Sequence, residues 1–389
     1  MKSRLSAILG TACLLLVACG GQGDGGQGDG DEPYRIGFFA PISGFAAADG
    51  QAARDAAKLA VQQANQDGGI DGRQVELVVY DDASEPVQAA SLARKLVQQD
   101  QVDLVVSGSY SAQTRAAAPV IAQLGTVMIA AYAVDPEITQ VGEEIWRVGE
   151  LATIQGQVGG WLVMDKLGAK RVAVLQVDND FGAALTSSFR DYVTEHGGQI
   201  VYDSKYPLTE TDYRPILSSV KQANADVVYA TGYYSNAANI LKQAEGLGVT
   251  AQVVGQEGYD SYKLLELAGT AANGVIFTTE LNRDSDQPVV KEFLTNYEEF
   301  AGHPADAVAA ETYDATVLAL EALRAAESPE TEDLIQALQG MEEFDFSVTG
   351  MMRFDENRNA IRPGLVQTVQ DMEIQFFAEV DEPDTITTD

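Results

Sequence analysis

From Tyr34 onward the chain alternates short runs of β-branched and aromatic residues with stretches in which apolar residues return every three or four positions. Runs of the first kind read as strands and stretches of the second kind as helices. Arg35–Phe39 predicts a strand. Ala53, Ala56, Ala57, Ala60 and Ala64 then recur at helical spacing, and Gly68-Gly69 stops that helix. Gln74–Tyr80 predicts a strand, Pro86–Gln99 a helix and Asp103–Val106 a strand. A serine-rich loop, a helix from about Ala112 and a strand at Val127–Ala130 complete the series.

The pattern then restarts. Strands are predicted at Arg171–Val177, Ile200–Tyr206, Asp226–Thr231, Gln252–Val254 and Gly274–Thr278. Helices at Ala183–His196, Arg214–Ala223 and Asn236–Leu247 lie between them. Two successive β-α series predict an α/β protein of two doubly wound lobes with mostly parallel sheets. The tail departs from the alternation. Pro288–Ala301, Ala307–Ala325 and Thr331–Leu338 read as helices. Phe344–Val348 with Met351–Phe354, and Leu365–Gln370 with Ile374–Val380, read as hairpins. A tail of helices followed by strands predicts a chain that crosses between the lobes more than once.

The first residues change the picture by setting the compartment. Lys2 and Arg4 precede a short apolar stretch that ends in Leu16-Val17-Ala18-Cys19-Gly20. This reads as a signal peptide over residues 1–18, too short in its apolar part for a membrane span. Small residues followed directly by Cys19 resemble the lipobox of bacterial lipoproteins, which makes Cys19 the expected lipidation site. Residues 19–33 follow as a glycine-rich tether, which behaves as flexible coil. Processing of that kind would remove Cys13, leaving one of the two cysteines and no intrachain disulfide.

Charge narrows the partners. The chain of 389 residues carries 58 acidic against 25 basic residues, a formal net charge of −33. Nucleic acid and anionic membrane surfaces are therefore excluded as partners on electrostatic grounds.

Catalytic chemistry is sparse. There are two histidines. His196 precedes Gly197-Gly198 at a helix end, and His303 sits in the turn Gly302-His303-Pro304; both read as structural. No histidine pair has metal spacing, and there is no dinucleotide fingerprint, P-loop or nucleophile elbow. Asp81-Asp82 reads as a solvated turn rather than a metal site. Neither a cofactor, a metal nor an enzymatic activity is expected.

Doubly wound sheets take ligands beyond the carboxyl ends of their strands, so the loops there carry the remaining chemistry. Ser107–Thr114 runs from a strand into a helix and offers hydroxyls at Ser109 and Ser111. A helix start with serine oxygens can hold a carboxylate; simple N-capping by Ser111 reads equally well. Tyr229–Tyr234 places Tyr233 and Tyr234 at a strand end. Gly255–Tyr259 places Glu257 in a glycine-rich turn, either solvated or poised to receive an ammonium group.

The stretches Ile36–Gly44, Asn65–Gly72, Tyr80–Ala83, Ser109–Thr114, Asp135–Thr139, Tyr229–Tyr234 and Gly255–Gly258, with Gly364 and the strand after it, occur in an order and spacing that resemble one family. It is that of the branched-chain amino-acid binding proteins, the type I periplasmic solute-binding proteins of ABC importers. The likeness runs from Tyr34 to Glu379. It implies two lobes joined by three hinge crossovers, lobe 1 from residues 34–151 and 282–362 and lobe 2 from 152–281 and 363–389. It further implies that Ser111 binds an amino-acid carboxylate with nearby backbone N–H groups, that Tyr233 and Glu257 hold the ammonium, and that Ala131, Tyr132 and Val134 line the opposite side.

Several positions depart from the family. Val134 stands where a hydroxyl is frequent, Tyr132 where a small residue stands, Asp49 where a tryptophan can cover the ligand's side chain, and Phe181 where a tyrosine occurs. Ser84 and Tyr110 occupy the positions of the first lobe's disulfide. The expected function is an extracytoplasmic, lipid-anchored, monomeric binding protein. It would close on an amino acid and deliver it to an ABC permease and its ATPases. A ligand sensor of the same fold, taking an amide, urea or small carboxylate, is the alternative.

Overall fold

A parallel strand covered by helices on both faces needs apolar residues at nearly every position, because neither side meets water. The first strand, β1 (Tyr34–Ala40), has that character: Ile36, Phe38 and Ala40 pack to one face and Phe39 to the other. In this computed structural model, which describes residues 32–341, 344 and 347–380, β1 lies inside a five-stranded sheet. Its partners are β2 (Val75–Asp81), β3 (Leu104–Ser107), β4 (Val127–Ala130) and β5 (Ile145–Arg147), in the order β2-β1-β3-β4-β5, all parallel. Helices α2 (Pro86–Gln98) and α3 (Ser111–Gln123) cover one face. α1 (Ala47–Gln66) covers the other, as do two helices met later in the chain. The expected signal segment, Cys19 and the tether up to Asp31 lie outside the described residues, as do 381–389.

After β5 the chain enters a second sheet through α4 (Ala152–Trp161). Its parallel strands are β6 (Arg171–Val177), β7 (Gln199–Tyr206), β8 (Val227–Ala230), β9 (Gln252–Gly255) and β10 (Ile276–Thr279), in the order β7-β6-β8-β9-β10. The strand order repeats that of the first sheet, so each lobe has its reversal between the first and third strands, where a crevice opens. α5 (Asp180–Glu195), α6 (Arg214–Gln222), α7 (Tyr234–Leu247) and α8 (Tyr262–Ala268) complete this lobe.

The chain next returns to the first lobe. α9 (Pro288–Ala301), α10 (Ala307–Ala325) and α11 (Thr331–Gln339) follow, with Phe293 and Tyr297 of α9 and Ala309 and Ala310 of α10 packed against Ala52, Ala56 and Leu59 of α1. It finishes on the second sheet. β13 (Gly364–Gln370) pairs antiparallel with β10, and β14 (Glu373–Val380) pairs antiparallel with β13. Asp371 and Met372, at φ of 51° and 66°, form the two-residue turn between them, the geometry that matches the right-handed twist of hairpin strands.

The three crossings lie side by side and are tied together. The Arg362 guanidinium, on the third, donates to the Val148 carbonyl on the first and acts electrostatically on Glu280 on the second. Arg283, just past Glu280, donates to Asp260 of the second lobe (2.9 Å), to Gln367 (2.7 Å) and to the Ala305 carbonyl (3.1 Å).

Three elements escape the sequence pattern. β5 has three residues, too few for any periodicity. α8 has seven. α4 reads Ala-Thr-Ile-Gln-Gly-Gln-Val-Gly-Gly-Trp, poor in helix formers. Its glycines serve packing: a Cβ on Gly156 would collide with Ser188 Oγ and the Leu185 carbonyl oxygen of α5, and one on Gly160 with the Tyr192 ring.

One expected hairpin is corrected. Phe344 pairs with Met352 in a single bridge, while β11 (Arg353–Phe354) pairs with β12 (Ala360–Ile361) instead. The buried carboxylate of Asp314 on α10 explains the change. It accepts from the backbone N–H of Val348 (2.8 Å) and of Thr349 (3.0 Å), and from the hydroxyls of Ser347 (2.5 Å) and Thr349 (2.6 Å). Backbone donors that a ladder would need are bound to a side chain from another element.

Candidate functional site

Loops from the carboxyl ends of both sheets face one another across the crevice. Ser111 opens α3 directly after β3 and is buried. Its hydroxyl does not cap its own helix: Ser111 Oγ accepts from the backbone N–H of Val134 at 3.2 Å, joining the loops after β3 and β4. Of the two readings open for this serine, capping is therefore absent, and its oxygen faces the cleft.

From the other lobe come Phe181 at the start of α5, Tyr233 immediately before α7 and Glu257 in the turn after β9. Asn236 holds the approach of Tyr233 by accepting from its backbone N–H at 3.2 Å. Phe181 stacks on Tyr233, centroids 5.2 Å apart and planes at 22°. Tyr110 of the first lobe meets Tyr233 at 4.6 Å, and Phe45 meets it edge-on at 5.4 Å. This group of rings divides the crevice into two chambers that share Tyr110, Ser111, Phe181 and Tyr233. The outer mouth, about 620 Å³, is lined by polar groups such as Ser84, Asn179, Thr209 and Asn239. The inner chamber is much smaller, with about 20 Å³ of free space, room for roughly one water molecule.

Asp49, Ser111, Tyr132, Val134, Phe181, Tyr233 and Glu257 all line the inner chamber. Ser109 does not. It is fully buried beside Asp82, its carbonyl accepts from Thr114 Oγ1 at 3.1 Å, and it lines neither chamber. Ala131 is likewise buried away from both. Tyr132 fits because its hydroxyl donates to the Gly108 carbonyl at 2.5 Å, which lays the ring along the chamber wall. Two further groups were not singled out as ligand contacts from sequence. Tyr110 closes the chamber, and Glu311 enters it from α10. Glu311 had a readable signal, since it interrupts a run of small apolar residues on a buried helix face, Ala307-Val308-Ala309-Ala310-Glu311.

The chamber is strongly acidic. Gln155 Nε2 donates to Glu257 at 2.7 Å and to Glu280 at 3.2 Å. Carboxylate oxygens of Glu257, Glu280 and Glu311 lie within 4.8 Å of one another, all buried. Burial pushes Glu257 and Glu311 well above the ordinary carboxylate range, and the neighbouring carboxylates push them further. Glu280 is raised to about 7 by burial, against the pull of Arg362. Asp49 is raised to about 6 by burial, against hydrogen bonds from Tyr110 and from Ser261 of the opposite lobe, the latter at 3.1 Å. The three glutamates could hold a hard cation. Calcium, however, takes roughly six to eight oxygens, and much of the remaining wall here is aromatic and aliphatic.

Two doubly wound lobes facing one another across a buried cleft have the architecture of a solute-binding protein. The chain belongs to the periplasmic binding proteins, whose family model matches residues 33–373. It is of type I, similar to the branched-chain amino-acid binding proteins and to substrate-binding proteins of ABC transporters. The leucine-, isoleucine-, valine-, threonine- and alanine-binding protein of Pseudomonas aeruginosa is 29% identical over 84% of this chain and 86% of its own length. The crystal structure of a leucine-binding protein, LivK, from Thermotoga maritima superposes with a TM-score of 0.84 at 29% identity, covering 90% of this chain and 99% of that one. A solute-binding protein of an ABC transporter from Rhodopseudomonas palustris, solved with 3,4-dihydroxybenzoic acid, superposes at 0.83 and 27% identity, covering 90% and 98%.

Proposed function

We propose that this protein captures an amino acid between its lobes and delivers it to an ABC permease, as a lipid-anchored extracytoplasmic monomer. The observation that carries the reading is the chamber itself, with Ser111 on one lobe and Glu257 on the other. The hydroxyl at the start of α3 suits a carboxylate, and the buried Glu257 suits an ammonium. A zwitterion engaging both would hold the lobes closed, which is the hinge logic of two-lobed binders. The Pseudomonas and Thermotoga relatives, named for amino acids, agree with this. The neighbour holding dihydroxybenzoate raises an aromatic acid as the second reading. Against it, no lysine, arginine or histidine among the described residues lines either chamber, so a bare carboxylate would face Asp49, Glu257 and Glu311 without an ammonium to offset them. A sensor that signals through a receptor would use the same cleft; the lipobox-like Leu16–Cys19 followed by a glycine-rich segment favours transport.

Thermal-shift screening against the standard amino acids and small aromatic acids tests the reading, because a ligand that binds only the folded state raises the melting temperature by mass action. Amino acids should raise it and benzoates should not; the reverse would replace the reading. The anchor has its own test. Cys19→Ala should release the protein from membranes or block its processing, and unchanged fractionation and mobility would count against lipidation.

A further inference from the structure

The chamber and its surroundings hold more carboxyl groups than one ammonium needs. At one end stand Glu257, Glu280 and Glu311. Asp49 stands outside that group, held by Tyr110 and Ser261. The cations nearby are Arg362, which faces Glu280 and Glu311 from the crossings, the buried Arg147 of β5, which acts on Glu257, and Arg283, which is engaged by Asp260. Asp306, buried at the start of α10, adds a further carboxylate behind Asp49. Glu311 Oε1 is buried, belongs to a chamber-lining residue and has no hydrogen-bond partner. The remaining wall is partly aliphatic, at Val134 and Val308, and partly the rings of Tyr110, Tyr132, Phe181 and Tyr233, whose faces attract cations.

A branched aliphatic side chain placed here would leave Glu311 Oε1 unpaired and lay apolar atoms against Asp49, which has only the hydroxyls of Tyr110 and Ser261 to offset its charge, and a buried carboxylate without a counter-charge is costly. A positive side chain would return an ion pair and ring contacts together. We propose that the ligand carries two positive centres, as a basic amino acid does, one held by Glu257 and Glu311 and the other by Asp49 and the tyrosine rings. This rests on the amino-acid reading above and narrows it to a cationic class. The chamber's small free volume means that the rings must part to admit such a ligand, its longer arm reaching toward the outer mouth.

Calorimetry on the exported protein tests this with L-arginine, L-lysine, the diamine putrescine, L-leucine, 4-hydroxybenzoate and calcium. L-arginine or L-lysine should bind at least roughly tenfold tighter than L-leucine, as one charge-assisted hydrogen bond implies. Asp49→Asn should lower that preference by about the same factor. The wild-type panel decides even if the variant fails to fold. L-leucine binding as tightly as the basic amino acids overturns the second charge and leaves the amino-acid reading standing. Putrescine binding while every amino acid fails would keep the cationic class and overturn the carboxylate role of Ser111. Binding of 4-hydroxybenzoate alone, of calcium alone, or of nothing overturns both.

Discussion

Glu257 shows how one side chain acquires a role from its surroundings. In the sequence it is a glutamate in a glycine-rich turn, equally suited to solvent. In the structure it is buried, bonded by Gln155 and crowded by Glu280 and Glu311. Glu257→Gln keeps the shape and removes the charge, so affinity for an amino acid should fall by roughly ten- to a hundredfold, the range of a hydrogen bond to a charged group. Ser111→Ala should cost less, because backbone donors near the carboxylate remain. Titration calorimetry of both variants checks the order. Unchanged binding by Glu257→Gln would move the ammonium elsewhere. Ser111, Tyr233 and Glu257 were legible because each follows a predicted strand. Glu311 comes from a helix 54 residues further along the chain than Glu257, and Tyr110 earned notice only as a missing cysteine; no local pattern says that either reaches the cleft.

At the scale of elements, packing overrides propensity in a way that can be measured. Gly156 lies in α4 where α5 leaves no room for a Cβ, whereas Gly246, near the end of α7, has open space around it. Gly156→Ala should destabilise the protein by about 1–3 kcal/mol, the usual cost of overpacking. Gly246→Ala should stabilise it by about 0.4–1 kcal/mol through the unfolded chain. Denaturant melts of the two variants should move in opposite directions; equal shifts would mean that α4 and α5 are not in close contact. The same competition rewrote the expected hairpin, since Asp314 bound the amides of Val348 and Thr349. Strands and helices of ordinary length, such as β6 and α10, were read from the sequence within a few residues because burial on fixed faces writes itself into their periodicity.

The whole molecule adds two charge effects that experiment can separate. Asp49 and Asp82 titrate near about 6 and Glu280 near about 7 in the folded state, all above their unfolded values, chiefly through burial. The folded state therefore binds protons more tightly than the unfolded one. The stability this contributes is fully present below about pH 4 and is lost as pH rises through about 6 to 7. The melting temperature of the ligand-free protein should fall between about pH 5 and pH 8, and a saturating cationic ligand should offset the fall. The second effect is the net charge of −33. Repulsion among exposed carboxylates is screened by salt, so the melting temperature should climb with sodium chloride. Buried groups are screened much less, so the pH dependence should persist at high salt. A pH slope that vanishes there would assign it to the surface instead.

By itself the sequence determined two doubly wound lobes, the loops that carry most of the chamber-lining groups and the kinship with type I periplasmic binding proteins. These follow from local periodicity and from short stretches in a set order, which survive in one dimension. Only the tertiary structure decided that Ser111 bridges to Val134 rather than capping its helix, and that Ser109 turns away from the cleft. It alone showed that Asp49, Glu257 and Glu311 share one chamber. Those facts depend on contacts between residues far apart in the chain, and the chain's order holds no record of which side chains its folding brings face to face.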